Sequence, residues 1–233
     1  MSAYQTNVTT ANAPHEKLID IHTHGVLNAL HTQIINLDIG ANSLVDEDAE
    51  YLSVGIHPWS LVEDHMSSAL ANVRDLAARS NVLAIGECGL DKLKGASWEL
   101  QQKAFMEHIQ IASQWHKPLI IHCVKAQNDL IRIVRRESIE VPMIIHGFDG
   151  NLNIAHTLLE NGFYLSFGKA LLRQNSNAYK ALMECPQDRM FLETDDSDIP
   201  VDKLYETAAA ILGLDLSEFI AIIRSNFTKV FRP

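Results

Sequence analysis

Six residues scattered along this 233-residue chain carry side chains that bind divalent cations: His22, His24, Glu87, His122, His146 and Asp195. Imidazole nitrogens mixed with carboxylate oxygens suit zinc, manganese or a similar first-row ion, whereas calcium prefers shells made only of oxygen. His22 and His24 are two positions apart. On a strand, alternate residues share a face, so the two rings stand about 6.5 Å apart and can clasp one ion. Such a pair alone is more often an ordinary strand feature than a ligand pair. The other four positions change that balance, because each closes an apolar run. Four imidazoles and two carboxylates gathered without a cation would suffer like-charge repulsion and unmet hydrogen bonds, each a liability on the order of several kcal/mol. The count points to two ions, with Glu87 as the natural bridge.

The elements that must bring these residues together are eight short apolar, mostly β-branched runs: 17–24, 33–39, 51–57, 82–89, 118–124, 141–148, 163–168 and 189–195. Continuous apolar runs bounded by turn residues fit parallel strands buried on both faces. Segments of helical period lie between the later runs, as in 61–80, 98–116 and 153–162, and two more close the chain, around 202–212 and 217–231. The alternation predicts an α/β fold, a closed (β/α)8 TIM-type barrel of ordinary length. Glu87, His122, His146 and Asp195 then sit at the ends of strands four, five, six and eight, on the rim where barrel enzymes place their sites. Only 25–32 and 40–50 separate the first three runs, so the first two crossover helices must be short or missing. Residues 1–16 read as a flexible tail and 17–233 as a single barrel domain.

Composition narrows the function classes. Hydrophobic residues make up 47% and charged residues 21%, an ordinary globular balance. No apolar run approaches the roughly 18 residues of a membrane helix, and the N-terminal stretch has no apolar segment like that of a signal peptide. Cys88, Cys123 and Cys185 show no metal-knuckle or CxxC spacing and read as reduced thiols. The expected setting is cytoplasmic, without a membrane or an obligate protein partner. A net charge of −10 argues against a broad basic surface gripping nucleic acid, so an anionic substrate must be held locally.

Taken in order, IDIHTHG, VGIHPW, AIGECGLD, PLIIHC, IIHGFDGN, GFYLSFG, FLETD and NFTKVF resemble the motifs of the TatD family of metal-dependent deoxyribonucleases across nearly the whole chain. The resemblance implies a metallo-dependent hydrolase barrel of the amidohydrolase superfamily, with ligands from strands one, four, five, six and eight. It further implies that Glu87 bridges two ions and that Asp195 binds metal and helps activate the attacking water. The cofactor is then one or two divalent ions, zinc, manganese or magnesium. The implied substrate is a phosphoester, either DNA or a smaller phosphorylated substrate such as a nucleotide. His57, in the GIHP segment, and Lys125, after strand five, are the candidate substrate contacts. Two other readings stand beside this one: hydrolysis of a small amide or ester on the same metal cluster, and a metal-binding protein without catalysis.

Three departures from the family pattern bear on what the site grips. Where the family reads IHSRDA, this chain reads IHCVKA, with Val124 and Lys125 replacing a charged pair. After Asp195 a Pro and a basic loop give way to Asp196-Ser197-Asp198. The first two crossovers are short. Other cations on the rim, Lys92, Lys94, Lys169 and Arg173, could hold a phosphate but singly read as solubilising. Asp20 and Glu193, two positions before His22 and Asp195, should lie one layer deeper and orient ligating rings. His65, His108, His116 and His156 fall in helical segments, and His15 and His31 in the tail and a loop; all six are expected at the surface.

Overall fold

The computed structural model describes residues 17–25, 28–41 and 49–232; the expected tail of 1–16, with His15, lies outside the described residues. Eight parallel strands pair in sequence order. They are β1 (Leu18–Thr23), β2 (His31–Asp38), β3 (Tyr51–Gly55), β4 (Val82–Asp91), β5 (Leu119–Val124), β6 (Met143–Ile145), β7 (Tyr164–Phe167) and β8 (Met190–Leu192). The helices are α1 (Glu63–Ala77), α2 (Trp98–Trp115), α3 (Gln127–Glu137), α4 (Leu152–Glu160), α5 (Asn177–Glu184), α6 (Val201–Leu212) and α7 (Leu216–Phe231). This is the (β/α)8 barrel. No helix lies between β1 and β2 or between β2 and β3 among the described residues, with 26–27 and 42–48 outside them. None of the described helices is long and apolar enough to cross a membrane.

Burial drives this arrangement. Every residue of β4, VLAIGECGLD, is buried, as a strand covered on both faces requires. Three helices begin on side-chain caps: Ser97 Oγ accepts from the Leu100 amide, Asn151 Oδ1 from Ile154 and Ser176 Oγ from Tyr179. His108 of α2 departs from its expected surface position. It is fully buried, its Nε2 accepting the Ile56 amide at 3.0 Å and its Nδ1 meeting the Ala104 carbonyl at 2.7 Å, so it ties α2 to the end of β3. Burial pushes its pKa down to about 4, which keeps the ring neutral. His31 opens β2 rather than lying in a loop and pairs with Asp202 of α6 at 3.1 Å. His65, His116 and His156 are exposed as expected.

The barrel closes through a narrow seam between its first and last strands. β8 meets β1 by a single bridge, Thr23 with Asp195, whose flanking bonds run from His24 N to Asp195 O at 3.0 Å and from Asp195 N to His22 O at 2.9 Å. Lower down, a side chain replaces the missing ladder. The buried Tyr205 hydroxyl of α6 donates to the Ile19 carbonyl at 2.9 Å and accepts the Ile19 amide at 3.1 Å, satisfying both groups that a longer β8 would have paired. On the outside of the early strands α7 does the covering, with Phe227 against Tyr51 at 6.3 Å between ring centroids.

On the site side, β4 and β5 must approach closely. Gly89 has φ of 149°, and a Cβ there would meet the His122 carbonyl oxygen at 2.0 Å. Any side chain would drive β5, and His122 with it, away from the rim. Gly89→Ala is expected to lower stability by about 2–4 kcal/mol. Urea unfolding measures this, and a loss under about 0.5 kcal/mol, the size of an ordinary surface change, would refute the close-approach argument.

Candidate metal centre

At the C-terminal rim of the strands, the carboxylate of Glu87 is the hub. Its Oε2 lies 3.4 Å from His22 Nε2 and 3.6 Å from His24 Nε2. Its Oε1 lies 2.8 Å from His146 Nε2, 2.9 Å from His122 Nδ1 and 3.1 Å from His57 Nε2. Asp195 Oδ1 completes the first set, 3.6 Å from both His22 Nε2 and His24 Nε2. All six residues singled out as candidate ligands are therefore brought together, with His57 beside them. Lys125 is placed at the edge, exposed, and has no ion-pair partner among the described residues.

Two tests ask whether this set fits a cation. Ligands at about 2.0–2.2 Å in tetrahedral disposition stand roughly 3.3–3.6 Å from one another. The donor separations around His22, His24, Glu87 and Asp195, and the 3.3 Å between His122 Nδ1 and His146 Nε2, match that spacing. Satisfaction points the same way: His22 is fully buried, and among the described residues neither of its ring nitrogens has a hydrogen-bond partner, an arrangement that a cation at Nε2 would relieve.

The far side of each ring decides which nitrogen is free. His146 Nδ1 faces Glu193 Oε1 at 3.2 Å, and His122 Nε2 faces Asp91 Oδ2 at 3.3 Å. Both carboxylates accept, so the proton sits there and the opposite nitrogen offers its lone pair to the centre. His57 is the reverse. Its Nδ1 accepts the Trp59 amide at 3.1 Å, so the neutral ring carries its proton on Nε2 and donates towards Glu87. Although His57, Glu87 and His122 also form a group of metal-ligand spacing, this tautomer makes His57 a donor to an anion rather than a ligand.

Over residues 40–232 the chain matches the family model described as TatD related DNase. The chain belongs to the TatD-related DNase family. Among its TatD relatives, the protein of Bacillus subtilis called uncharacterized metal-dependent hydrolase YabD is 35% identical over 209 residues, covering 82% of each chain. Escherichia coli YcfH, described in the same words, is 29% identical over 202 residues, 80% of this chain and 75% of that one. The crystal structure of the E. coli TatD homolog YjjV superposes with a TM-score of 0.79 at 20% identity, over 93% of this chain and 98% of that one. An amidohydrolase structure from Saccharomyces cerevisiae gives 0.71 at 16% identity over 92% and 99%. At those identities the two structures speak to the fold.

In this TatD chain several side chains around the centre were not anticipated. Asp91 ends β4, two residues beyond the expected strand, and besides His122 it accepts from Trp59 Nε1 at 2.7 Å and from the amides of Leu93 and Lys94. Asn36 Oδ1 accepts the Glu87 amide at 2.7 Å, fixing the backbone of the hub residue. Glu193 orients a ring as expected. Asp20 does not: its oxygens accept from the amide and hydroxyl of Thr194 at 3.0 and 2.6 Å. Burial, outweighing those bonds, pushes it up to about 6.

Burial opposes charge throughout the centre, and neighbouring opposite charges overcome it. Desolvation alone would depress His22, but Asp195 and Glu87 beside it hold it up at about 9. His146 is likewise held well above the usual range against its burial, by Glu87 and Glu193. The carboxyls of Glu87 and Asp195, which burial would raise, are kept low by the imidazoles around them. Without a cation the carboxylates are thus balanced by protons on His22 and His146, and a bound ion must displace those protons.

Two outcomes are expected. A His whose folded pKa is raised stabilises fully below its unfolded value of 6.5 and loses that contribution as pH climbs through the folded value, about 9 for His22. The metal-free protein should therefore lose on the order of 3 kcal/mol between these limits, roughly 5–10 °C in Tm. The metal-loaded protein should stay level. A metal-free Tm that is flat or rises over that window contradicts the charge balance. Separately, Asp91→Asn should weaken metal affinity about 10–100-fold by releasing the tautomer of His122; titration with a chelating indicator reads this, and unchanged affinity would show that Asp91 serves only Trp59 and the loop.

Proposed function

We propose that this chain is a metal-dependent hydrolase of phosphoester bonds, acting on a phosphodiester of DNA or of a smaller nucleotide. The observation that carries the reading is the arrangement of ligating atoms around Glu87: His22 and His24 lie nearest one carboxylate oxygen, with Asp195 beside both rings, and His122 and His146 lie nearest the other. Such a donor set would hold two cations with Glu87 between them, which would suit in-line displacement at phosphorus. The family name and the relatives described as metal-dependent hydrolases support it. When bound, divalent cations supply Lewis acidity that stabilises charge on the phosphoryl oxygens and brings the acidity of water towards neutrality.

The residues have distinct tasks. Glu87, ionised and buried, holds the two ligand sets in register. Asp195 is ionised at neutral pH and its side chain is 29% exposed, so Oδ1 can accept a proton from water entering at the rim. The backbone fixes its direction: Asp195 sits at φ of 53°, a left-handed conformation that Asp tolerates better than most residues, which turns its side chain into the site at the seam. His57 Nε2–H, which donates towards Glu87, is placed to share that proton with a non-bridging oxygen of the substrate. Lys125, exposed at the edge and without an ion-pair partner among the described residues, meets a flanking phosphate.

A second reading, hydrolysis of a small amide or ester, draws on the occupied state of the other rim cations. Lys92 pairs with Asp129, Lys169 with Asp196 and Arg173 with Asp149, which leaves little free positive charge for a polymer. The two readings separate in one assay. Metal-free protein reloaded with manganese, magnesium or zinc is expected to hydrolyse bis(4-nitrophenyl) phosphate and short single-stranded DNA. Asp195→Asn should reduce the rate about 10²–10⁴-fold with an unchanged circular dichroism spectrum. Turnover of amides or carboxylic esters alone would replace the first reading by the second, and inertness towards every substrate would leave a binding protein.

A further inference from the structure

Two imidazoles that face each other in the centre have opposite tasks. His57 Nε2 and His122 Nδ1 lie 3.2 Å apart. The first must carry a proton to donate, and the second must keep a lone pair to ligate. Trp59 touches the group that controls each ring. Its backbone N–H donates to His57 Nδ1 at 3.1 Å. Its indole N–H donates to Asp91 Oδ2 at 2.7 Å, the same oxygen that faces His122 Nε2 at 3.3 Å. The indole stands edge-on to both imidazoles, with ring centroids 4.8 Å from His57 and 5.5 Å from His122.

The loop after β4 holds Trp59 in turn. Asp91 Oδ1 accepts from the amides of Leu93 and Lys94, while the buried Gln101 accepts the Asp91 amide at 2.7 Å and donates to the carbonyls of Asp91, Lys94 and Ala96. This loop closes on the residue before Trp59: the Ala96 amide donates to the Pro58 carbonyl at 3.1 Å. Gly95, at φ of 98°, comes so near that a Cβ would meet the same oxygen at 2.5 Å. Lys94 Nζ lies 3.5 Å from the centre of the indole ring.

We propose that Trp59 is a positioning residue that assigns opposite roles to two neighbouring imidazoles: its backbone amide fixes His57 as a hydrogen-bond donor, and its indole N–H, acting through Asp91, fixes His122 as a metal ligand. The assignment rests on the reading of the centre as a cation site and concerns its ligands rather than the bond that is cut. With the indole in place, both oxygens of Asp91 are engaged and the carboxylate cannot turn. Without it, His122 is the one remaining partner of Oδ2 among the described residues, and the carboxylate can rotate about its bonds to the loop amides. The proton of His122 is then free to move to Nδ1, where it blocks ligation. Among the described residues Asp91 is hydrogen-bonded to neither His22 nor His24, so the loss falls on one half of the centre.

Calorimetric titration of the metal-free, full-length protein with zinc tests this, with His122→Ala identifying the binding step that belongs to His122 and His146. Trp59→Phe keeps the backbone amide and most of the apolar ring but removes the indole N–H. It is expected to weaken that step about 10-fold and to leave the other within roughly 2-fold. Lys94→Gln, which uncovers the ring and spares its N–H, should change neither step. Nuclear magnetic resonance of the wild type gives a second measurement that needs no Trp59 variant. The Trp59 indole proton, identified by its persistence in Trp98→Phe and Trp115→Phe, should exchange with solvent at least about 10-fold more slowly than that of N-acetyltryptophanamide, although the ring is exposed. A single step weakened by both His122→Ala and Trp59→Phe would correct the ion count and support the role of Trp59. Wild-type affinity in Trp59→Phe, equal weakening of two steps, no step lost in His122→Ala, or a freely exchanging indole proton would each overturn it. Failure to hydrolyse any phosphoester would instead count against the proposed reaction and leave this binding result standing.

Discussion

The structure depends on one carboxylate kept charged where water hardly reaches. Glu87 is 3% exposed and has five imidazole nitrogens within 3.6 Å of its two oxygens. An isolated buried carboxylate would protonate rather than stay ionised. Here it stays ionised because positive charge, whether protons on the rings or a cation, is always available beside it. Much of the barrel's geometry follows: Asn36 grips the Glu87 amide, Gly89 lets β5 approach, and Glu193 and Asp91 turn the rings of His146 and His122. The last two keep a lone pair, rather than an N–H, of His146 and His122 pointed at the centre.

Much of this was legible in the residues themselves. Parallel strands covered on both faces announce themselves as unbroken apolar runs, so the eight strands and the rim residues that close them could be read without any contact information. The short first crossovers were visible in the same way, as too few residues for a helix between runs. What could not be read depends on reach across the fold. Asp91 is a charged residue after an apolar run and looks like a turn, yet β4 continues through it and its oxygens meet an indole from the turn after β3 and an imidazole from β5. His108 lies in a helical segment with ordinary polar neighbours, and only the packing of α2 against the barrel at β4 turns it inward to take the Ile56 amide just after β3. Asp20 had the spacing of a ring-orienting carboxylate, but Thr194 stands closer.

The loops around the centre carry the features particular to this member of the TatD family. The cations that might have gripped a long anionic strand have acidic partners, and Lys94 lies over the exposed Trp59 ring at 3.5 Å. Such surface pairs contribute little to stability. They set the electrostatic character of the rim: local and mixed rather than a continuous positive track. With a net charge of −10, the molecule offers little long-range attraction to a polyanion, and recognition has to arise from contacts within a few ångström of the metal ligands.

The seam has a consequence for the order in which the molecule can be built. Tyr205 and Ile19, which close it, are 186 residues apart, and one of the candidate ligand sets takes its imidazoles from β1 and its second carboxylate from beside β8. During synthesis the first strand leaves the ribosome long before its closing partner exists. Until β8 and α6 are made β1 is an open edge, and it needs protection from pairing with other nascent chains. Completion of the cation pocket thus waits for the segment that carries Asp195, which places metal capture late in the assembly of the barrel.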